Sequence, residues 1–194
     1  MAVDNTSGYV VAIGASAGGI IAVRDLLSEL PVDLNAPVVV AIHSDATSKL
    51  SEILQIKCPL SIKQLVDGEV LKPGWIYTVP GATHAFFRDG SVRLSKPVRN
   101  SGYRPSIDGL FMTLAAEHKD KAIAVVLSGA LNDGMRGAQI VYDMGGRTIV
   151  QSPDEAKYES MPMNVIKPDH PREILSAKDL GIWLLNAIGH KPAD

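Results

Sequence analysis

The chain has 194 residues, which is enough for one domain with a sizeable core and too few for two ordinary domains. A formal net charge of −2 argues against nucleic acid as a partner, and no apolar run approaches the roughly 18 residues needed to cross a bilayer. Because the short polar N-terminus shows no secretory signal and the single cysteine, Cys58, permits neither an internal disulfide nor a multi-cysteine zinc site, we expect a cytoplasmic protein without membrane insertion.

Strands and helices are predicted to alternate along the chain. Apolar segments rich in β-branched residues predict buried strands at 9–13, 37–42, 75–79, 122–127 and 147–150. Apolar residues at helical spacing predict helices over 20–30, near 50–54, from about 107, over 135–142 and over 180–188. This alternation is typical of an α/β fold in which a parallel sheet carries helices on both faces.

Residues 84–96 break the alternation. Phe86 and Phe87 precede Asp89-Gly90, a pair that suits a tight turn, and further apolar residues follow it at alternate positions. We interpret this segment as a β-hairpin and expect it at an edge of the sheet. The next stretch, 96–108, is polar, contains two prolines and is predicted to be a loop.

A glycine-rich turn, Gly14-x-Ser16-x-Gly18-Gly19, lies between the first predicted strand and the first helix. A dinucleotide-binding turn would need glycine where Ser16 stands, and a Walker A loop would need a Gly-Lys-Ser/Thr sequence that is absent. A nucleophile elbow would present Ser16 above the sheet, close to the free N–H groups of the next helix. A purely structural turn would use Ser16 only as a helix N-cap. The pattern favours the elbow and leaves the other interpretations open.

A serine nucleophile needs a base and an orienting carboxylate. In a parallel sheet, reacting groups gather at the carboxyl ends of the strands. His43 follows the second strand and Asp133 follows the strand that ends near 127, so they are the candidate base and acid. Taken alone, His43 would more often be a structural histidine, and an alternative for Asp133 is the N-cap of the next helix. Because His43, Asp45 and Asp133 lack close ligand spacing, we expect no metal site.

Six sequence blocks carry a resemblance to a known family. In chain order they are VVAIGASAGG, VVVAIHSD, DGEVLKPGWIYTVPGATH, YRPSIDGLF, AVVLSGALNDGMRG and TIVQSPDEAKYESMP. From about residue 8 to residue 188 the sequence resembles the catalytic domain of the CheB-type protein-glutamate methylesterases. The resemblance implies a three-layer α/β/α domain with a mainly parallel, doubly wound sheet. It also implies a cofactor-free serine hydrolase that demethylates receptor glutamate γ-methyl esters and often deamidates receptor glutamines, with Ser16, His43 and Asp133 as nucleophile, base and acid.

We expect roles for neighbouring residues as well. The backbone N–H of Ala17, with that of Gly18 or Ala130, would hold the oxyanion. Arg104 would draw in an acidic receptor helix, although a structural or solvated arginine is an equal alternative. Two departures from the family pattern bear on the substrate-facing wall: Ala17 replaces a common threonine, and Ala130-Leu131 replaces the usual Met-Gly.

Residues 1–194 are predicted to form one methylesterase-like catalytic domain with flexible termini at 1–7 and 190–194. Because the first motif begins at residue 9, we expect a stand-alone form without the receiver domain of the best-known members. The expected partners are methyl-accepting receptors and a separate response regulator or other signalling protein. One alternative is a non-catalytic regulatory module of a two-component pathway with the same fold. A weaker alternative is a nucleotide-binding protein.

Overall fold

A computed structural model describes residues 8–56, 58–96, 104–168 and 171–190, so the predicted flexible termini, residue 190 excepted, lie outside the described residues. The strands are β1 (Val10–Ala15), β2 (Val38–Ile42), β3 (Ser61–Gln64), β4 (Trp75–Thr78), β5 (His84–Arg88), β6 (Ser91–Ser95), β7 (Ala122–Val126), β8 (Arg147–Gln151) and β9 (Glu173–Leu175). The helices are α1 (Gly19–Leu27), α2 (Leu50–Gln55), α3 (Ile107–His118), α4 (Met135–Asp143), α5 (Ser160–Ile166) and α6 (Ala177–Ala187). None of these helices has the length and apolar character needed to cross a bilayer.

Seven strands form one sheet in the order β3-β4-β2-β1-β7-β8-β9, and every neighbouring pair is parallel. The chain fills one side of β1 with β2, β3 and β4, and then fills the other side with β7, β8 and β9. Such a reversal opens a crevice at the carboxyl ends of the central strands. The predicted α/β class with a parallel, doubly wound sheet is confirmed.

Helices cover both faces of the sheet and enclose two apolar cores. One core joins Ile13 of β1 to Leu26 of α1, together with residues of α6. The other joins Ala12 of β1 to Phe111 of α3, together with residues of α4. Successive β1 residues thus face opposite cores, as side chains of a strand do. β1 and β2 are buried along their whole length, which explains their continuous apolar sequence, and the three-layer arrangement is confirmed.

The hairpin lies elsewhere than predicted. β5 and β6 form a separate two-stranded antiparallel sheet, and Asp89 and Gly90 in their turn have φ values of 51° and 73°. The edges of the seven-stranded sheet are β3 and β9, so the predicted edge position of the hairpin is wrong. The hairpin packs on α3 instead, because Phe87 and Val92 share a core with that helix and Glu117 accepts both turn N–H groups.

The sequence pattern did not predict β3, β9 or α5. β3 is partly or fully exposed along its length, and β9 has only three residues, so neither contains a buried apolar run. α5 has seven residues and carries Pro162 in its first turn, where the missing N–H of proline is tolerated. Short edge elements of this kind depend on their neighbours in space more than on local pattern.

His118 ends α3 and packs against the hairpin. Its ring meets that of Phe87 edge-on, with the ring centroids 5.5 Å apart and the planes at 87°. Burial lowers the pKa of His118, and the adjacent Glu117 carboxylate offsets only part of that effect. The folded protein therefore binds a proton at His118 less readily than the unfolded chain, in which histidine titrates near pH 6.5.

We expect the free energy of unfolding to fall as the pH drops below about 6.5, because the unfolded state then binds a proton that the folded state accepts only at lower pH. In His118→Gln, the loss of stability between about pH 7.5 and about pH 5.5 should be smaller than in the wild type. Urea unfolding followed by circular dichroism at the two pH values measures this difference. Equal pH dependence in the two proteins would contradict the prediction.

Candidate active site

Ser16 stands at the carboxyl end of β1, in the first residue after the strand. Its N–H donates to the carbonyl of Ser128 after β7 (3.0 Å), and its carbonyl accepts the N–H of Gly19 (2.9 Å). The N-cap of α1 is Gly18, which has a φ of 74°, and no side chain caps this helix end. The interpretation of Ser16 as a helix N-cap is therefore wrong, and its hydroxyl serves other contacts.

Two glycines let the chain close around this turn. A Cβ atom at Gly18 would lie 2.8 Å from Ser128 Oγ, in addition to the unfavourable left-handed φ. A Cβ atom at Gly129, in the loop after β7, would overlap the Met161 sulfur and lie 3.0 Å from the Ser16 Cβ. The β7 loop therefore approaches Ser16 so closely that a larger residue at either position would displace the turn.

The His43 imidazole lies between Ser16 and Asp133. The His43 N–H donates to the Ala15 carbonyl (3.2 Å), which holds the residue beside the end of β1. Nδ1 of the ring is 3.0 Å from Ser16 Oγ, and Nε2 is 2.8 Å from Asp133 Oδ2. The structure thus brings together the three side chains that were predicted as nucleophile, base and acid.

Asp133 is a buried carboxylate that is surrounded by donors. Besides contacting His43, its Oδ2 accepts the N–H of Ile107 (2.8 Å), and its Oδ1 accepts the N–H of Asp108 (2.9 Å). Both N–H groups belong to the first turn of α3, where the helix dipole favours a negative charge. The N-cap of α4 is Gly134, so the alternative that Asp133 caps its own following helix is wrong.

Asp108 makes the reciprocal contact from α3 to α4. Its Oδ1 accepts the N–H groups of Gly134 (3.0 Å) and Gly137 (2.8 Å) at the start of α4. Asp133, which precedes α4, binds the first turn of α3, while Asp108, which lies in α3, binds the first turn of α4. Burial raises the pKa of Asp108, and the negative charge of Asp133 raises it further. Sequence reasoning did not select Asp108, since its partners belong to another part of the chain.

Ser128 joins the nucleophile turn to the next strand. Its Oγ donates to the Ala17 carbonyl (2.9 Å) and accepts the N–H of Tyr158 (3.0 Å). The Ser128 N–H donates to Oε1 of the buried Gln151 (2.8 Å). The Ala17 carbonyl and the Gly18 N–H belong to one peptide bond, and a trans peptide points these two groups in opposite directions. Because Ser128 Oγ binds the carbonyl, the Gly18 N–H points away from Ser128. Neither Ser128 nor Gln151 was predicted, because a single serine or glutamine after a strand forms no recognisable pattern.

The N–H groups predicted to hold an oxyanion lie at the same edge of the sheet. Within the described residues, no protein acceptor takes the N–H of Ala17, Gly18 or Ala130. Ala17 and Gly18 directly follow Ser16, and Ala130 follows Gly129, which lies close to the Ser16 side chain. The geometry leaves these N–H groups able to bind a ligand, and their role stays a prediction.

Arg104 lies beside His43 along the backbone, because its carbonyl accepts the N–H of Ser44 (3.1 Å). Nearby, Nδ1 of His84 accepts the N–H of Ser106 (3.0 Å). The pKa of His84 is lowered by burial and then by the positive charge of Arg104. Arg104 therefore contributes positive charge to this edge of the site, while the attraction of an acidic helix stays a prediction.

We searched the described residues for metal-binding clusters and for a second site with reactive side chains. Across the described ranges, no group of three or more metal-ligating side chains comes together. A cavity of about 790 Å³ lies at the opposite end of the sheet, where β8 and β9 begin, and its lining includes Arg147, Arg172 and Trp183. Among the described residues, that lining contains no serine, cysteine or histidine.

The contacts around His43 can activate a serine. An imidazole nitrogen within hydrogen-bond reach of a hydroxyl can take its proton as the oxygen attacks a carbonyl carbon. A carboxylate on the other ring nitrogen fixes the tautomer and stabilises the imidazolium that forms. In this protein Nδ1 faces the hydroxyl and Nε2 faces the carboxylate.

Comparisons with known proteins give one family. A family model described as CheB methylesterase matches residues 11–184. The "Putative protein-glutamate methylesterase/protein-glutamine glutaminase" of Leptospira interrogans is 34% identical over 173 residues, with 88% of this chain and 90% of the relative covered. The "Protein-glutamate methylesterase/protein-glutamine glutaminase 2" of Pseudomonas fluorescens is 32% identical over 181 residues, with 92% of this chain covered. That match covers 48% of the relative, so this chain spans about half the length of the Pseudomonas relatives that it matches.

A solved structure is similar as well. The crystal structure of the Thermotoga maritima CheB methylesterase catalytic domain has a TM-score of 0.86 and 32% sequence identity to this chain. The match covers 93% of this chain and 98% of that one. The likeness therefore concerns the whole domain and not a single motif.

We expect Asp108→Ala to lower the free energy of unfolding by about 2 kcal/mol, because two helix N–H groups lose their acceptor. Asp108→Asn keeps an oxygen acceptor, and it removes a carboxyl group whose pKa is raised by burial. It should therefore lower the free energy of unfolding by less than Asp108→Ala does. Urea unfolding measures both values, with Asp154→Ala as the control at an exposed acid. The prediction fails if Asp108→Ala loses no more stability than the control.

Proposed function

The chain belongs to the CheB methylesterase family, and on that premise we propose that it hydrolyses glutamate γ-methyl esters of methyl-accepting receptor proteins. The observation that carries the proposal is the position of His43, whose ring lies 3.0 Å from Ser16 Oγ and 2.8 Å from Asp133 Oδ2. The names of the Leptospira and Pseudomonas relatives support the same substrate class.

In the proposed first half-reaction, Nδ1 of His43 takes the hydroxyl proton of Ser16 while Oγ attacks the ester carbonyl carbon. The carbonyl oxygen becomes an oxyanion, for which the N–H of Ala17, with that of Gly18 or Ala130, is the proposed donor pair. The bond from carbon to the methoxy oxygen then breaks, and His43 returns the proton to that oxygen. Methanol leaves, and the substrate glutamate is held as an ester of Ser16.

In the second half-reaction, Nδ1 of His43 takes a proton from water as the water oxygen attacks the same carbon. Collapse breaks the bond to Ser16 Oγ, which receives the proton from His43, and releases the γ-carboxylic acid of glutamate, which then loses its proton to water. Asp133 accepts a hydrogen bond from the Nε2–H group of His43 throughout, without taking that proton. Because Oδ2 of Asp133 also accepts the Ile107 N–H, the carboxylate is held in one orientation during both steps.

The exposure of the site supports a macromolecular substrate. Ser16, Ala17 and Gly18 are half-buried, and the His43 side chain is 16% exposed to solvent. An ester on a protein surface can therefore reach the hydroxyl without entering a deep cavity.

The same chemistry with ammonia as leaving group would deamidate receptor glutamines, the second activity in the relatives' names. Arg104 is proposed to attract acidic segments of the receptor.

The proposal includes the setting in which the reaction takes place. Residues 1–194 are proposed to act as one catalytic domain, since the family model matches most of their length. We place the reaction in the cytoplasm, without a cofactor. A response regulator or another signalling protein is proposed to control it.

We expect Ser16→Ala to lower the rate of methanol release from a methylated chemoreceptor fragment by at least about 10⁴-fold, because the nucleophile is lost. His43→Ala should have a similar effect, since it removes the base. Radiolabelled methyl esters on the receptor fragment allow the released methanol to be counted. Circular dichroism checks that each variant is folded.

Ser44→Ala is the matched control, because Ser44 directly follows His43 and its hydroxyl has no hydrogen-bond partner among the described residues. It should retain activity close to that of the wild type. Turnover by Ser16→Ala at the wild-type rate would refute the mechanism. If wild type hydrolysed neither the receptor ester nor activated esters, the alternative of a non-catalytic regulatory module would be favoured.

A further inference from the structure

Leu131 combines two unfavourable features at the edge of the candidate site. Its φ is +70°, in the left-handed region that residues with a Cβ atom rarely adopt. Its side chain is also 60% exposed, so packing within the domain compensates for little of this strain. Strained residues of this kind persist where the surrounding structure determines them, and they cluster at functional sites.

The conformation of this loop is held on both sides of Leu131. The Asn164 side chain of α5 donates to the Leu131 carbonyl (2.7 Å). The Gly129 N–H donates to the Tyr158 carbonyl, and the Gly129 carbonyl accepts the N–H of Met161, each at 3.0 Å. The strained backbone is therefore a defined feature of the loop between β7 and α4.

In the sequence, Leu131 lies between two residues that contact the candidate catalytic groups. Two residues before it, Gly129 approaches the Ser16 Cβ, and two residues after it, Asp133 contacts His43. A second apolar side chain, that of Tyr158, is 45% exposed at the same edge, with a ring carbon 3.3 Å from the position of a Cβ at Gly18. Two exposed apolar side chains, those of Leu131 and Tyr158, therefore belong to segments that contact the nucleophile turn.

We propose that Leu131 determines specificity for the protein substrate by contacting an apolar side chain beside the ester-bearing glutamate. The inference rests on the proposed function and names the surface chemistry that the receptor presents next to its ester. A folded receptor segment with apolar positions covers Leu131 when its ester reaches Ser16. A small methyl ester occupies the site without making this contact.

The test compares Leu131→Gly with the wild type on two substrates: a methylated chemoreceptor fragment, and a glutamate γ-methyl ester blocked at both termini. For the receptor fragment, kcat/KM should fall about tenfold, mainly through KM, because apolar burial on binding is lost. For the small ester, kcat/KM should stay within about twofold of the wild type. The Tm should rise by about 2–4 °C, since glycine relieves the left-handed strain.

Two control variants separate the side chain from the backbone. Leu131→Ala removes most of the side chain but keeps the strain, so it should show the same loss on the receptor fragment without the rise in Tm. Asp89→Gly relieves a φ of 51° in the hairpin turn, and it should leave both substrates unaffected.

Unchanged kcat/KM of Leu131→Gly on the receptor fragment would overturn the inference while leaving the proposed function intact. An equal loss on both substrates would also overturn it, because the residue would then act on the reacting groups. If the wild type hydrolyses neither substrate, the proposed function fails and the inference fails with it.

Discussion

The buried carboxylate of Asp133 is the constraint on which the site depends. With only 2% of its side chain exposed, this charge is tolerated because His43 and the N–H groups of Ile107 and Asp108 surround it. Two of these groups belong to the start of α3, so the helix cannot move without leaving the carboxylate unsatisfied. The imidazole completes the set, and its orientation toward Ser16 therefore depends on the position of α3. One buried charge thus links helix placement to the geometry of the candidate nucleophile.

Close backbone approach allows these groups to meet. Gly14 in β1 lies against Ile107, and a Cβ atom at Gly14 would overlap that side chain. Gly137 in α4 lies against the Asp108 backbone, where a Cβ atom would be 2.9 Å from the carbonyl oxygen. α3 is therefore pressed against β1 on one side and against α4 on the other. Because Ser16 follows β1, this packing brings it within hydrogen-bond reach of a histidine that Asp133 holds.

The predictability of each element follows from its burial. β1, β2 and β7 are buried along their whole length, so their apolar runs identified them. β3 and β9 lie at the edges of the sheet and lack such runs, and they were not predicted. The hairpin turn at Asp89-Gly90 was recognised from its residue types, since local backbone conformation depends on them. The place of the hairpin was predicted wrongly, because it depends on contacts with α3 that are distant in sequence.

The sequence by itself predicted the fold class, which is confirmed, and selected Ser16, His43 and Asp133 as the candidate catalytic residues. Parallel strands align their carboxyl ends, so reactive residues that follow different buried strands can be expected at one edge of the sheet. Only the tertiary structure decided that Nδ1 of His43 faces the hydroxyl, that Asp108 and Asp133 bind each other's helices, and that Leu131 adopts a strained conformation in the loop that leads to Asp133. These features depend on distances and angles between segments far apart in the chain, which packing sets and local residue patterns do not encode.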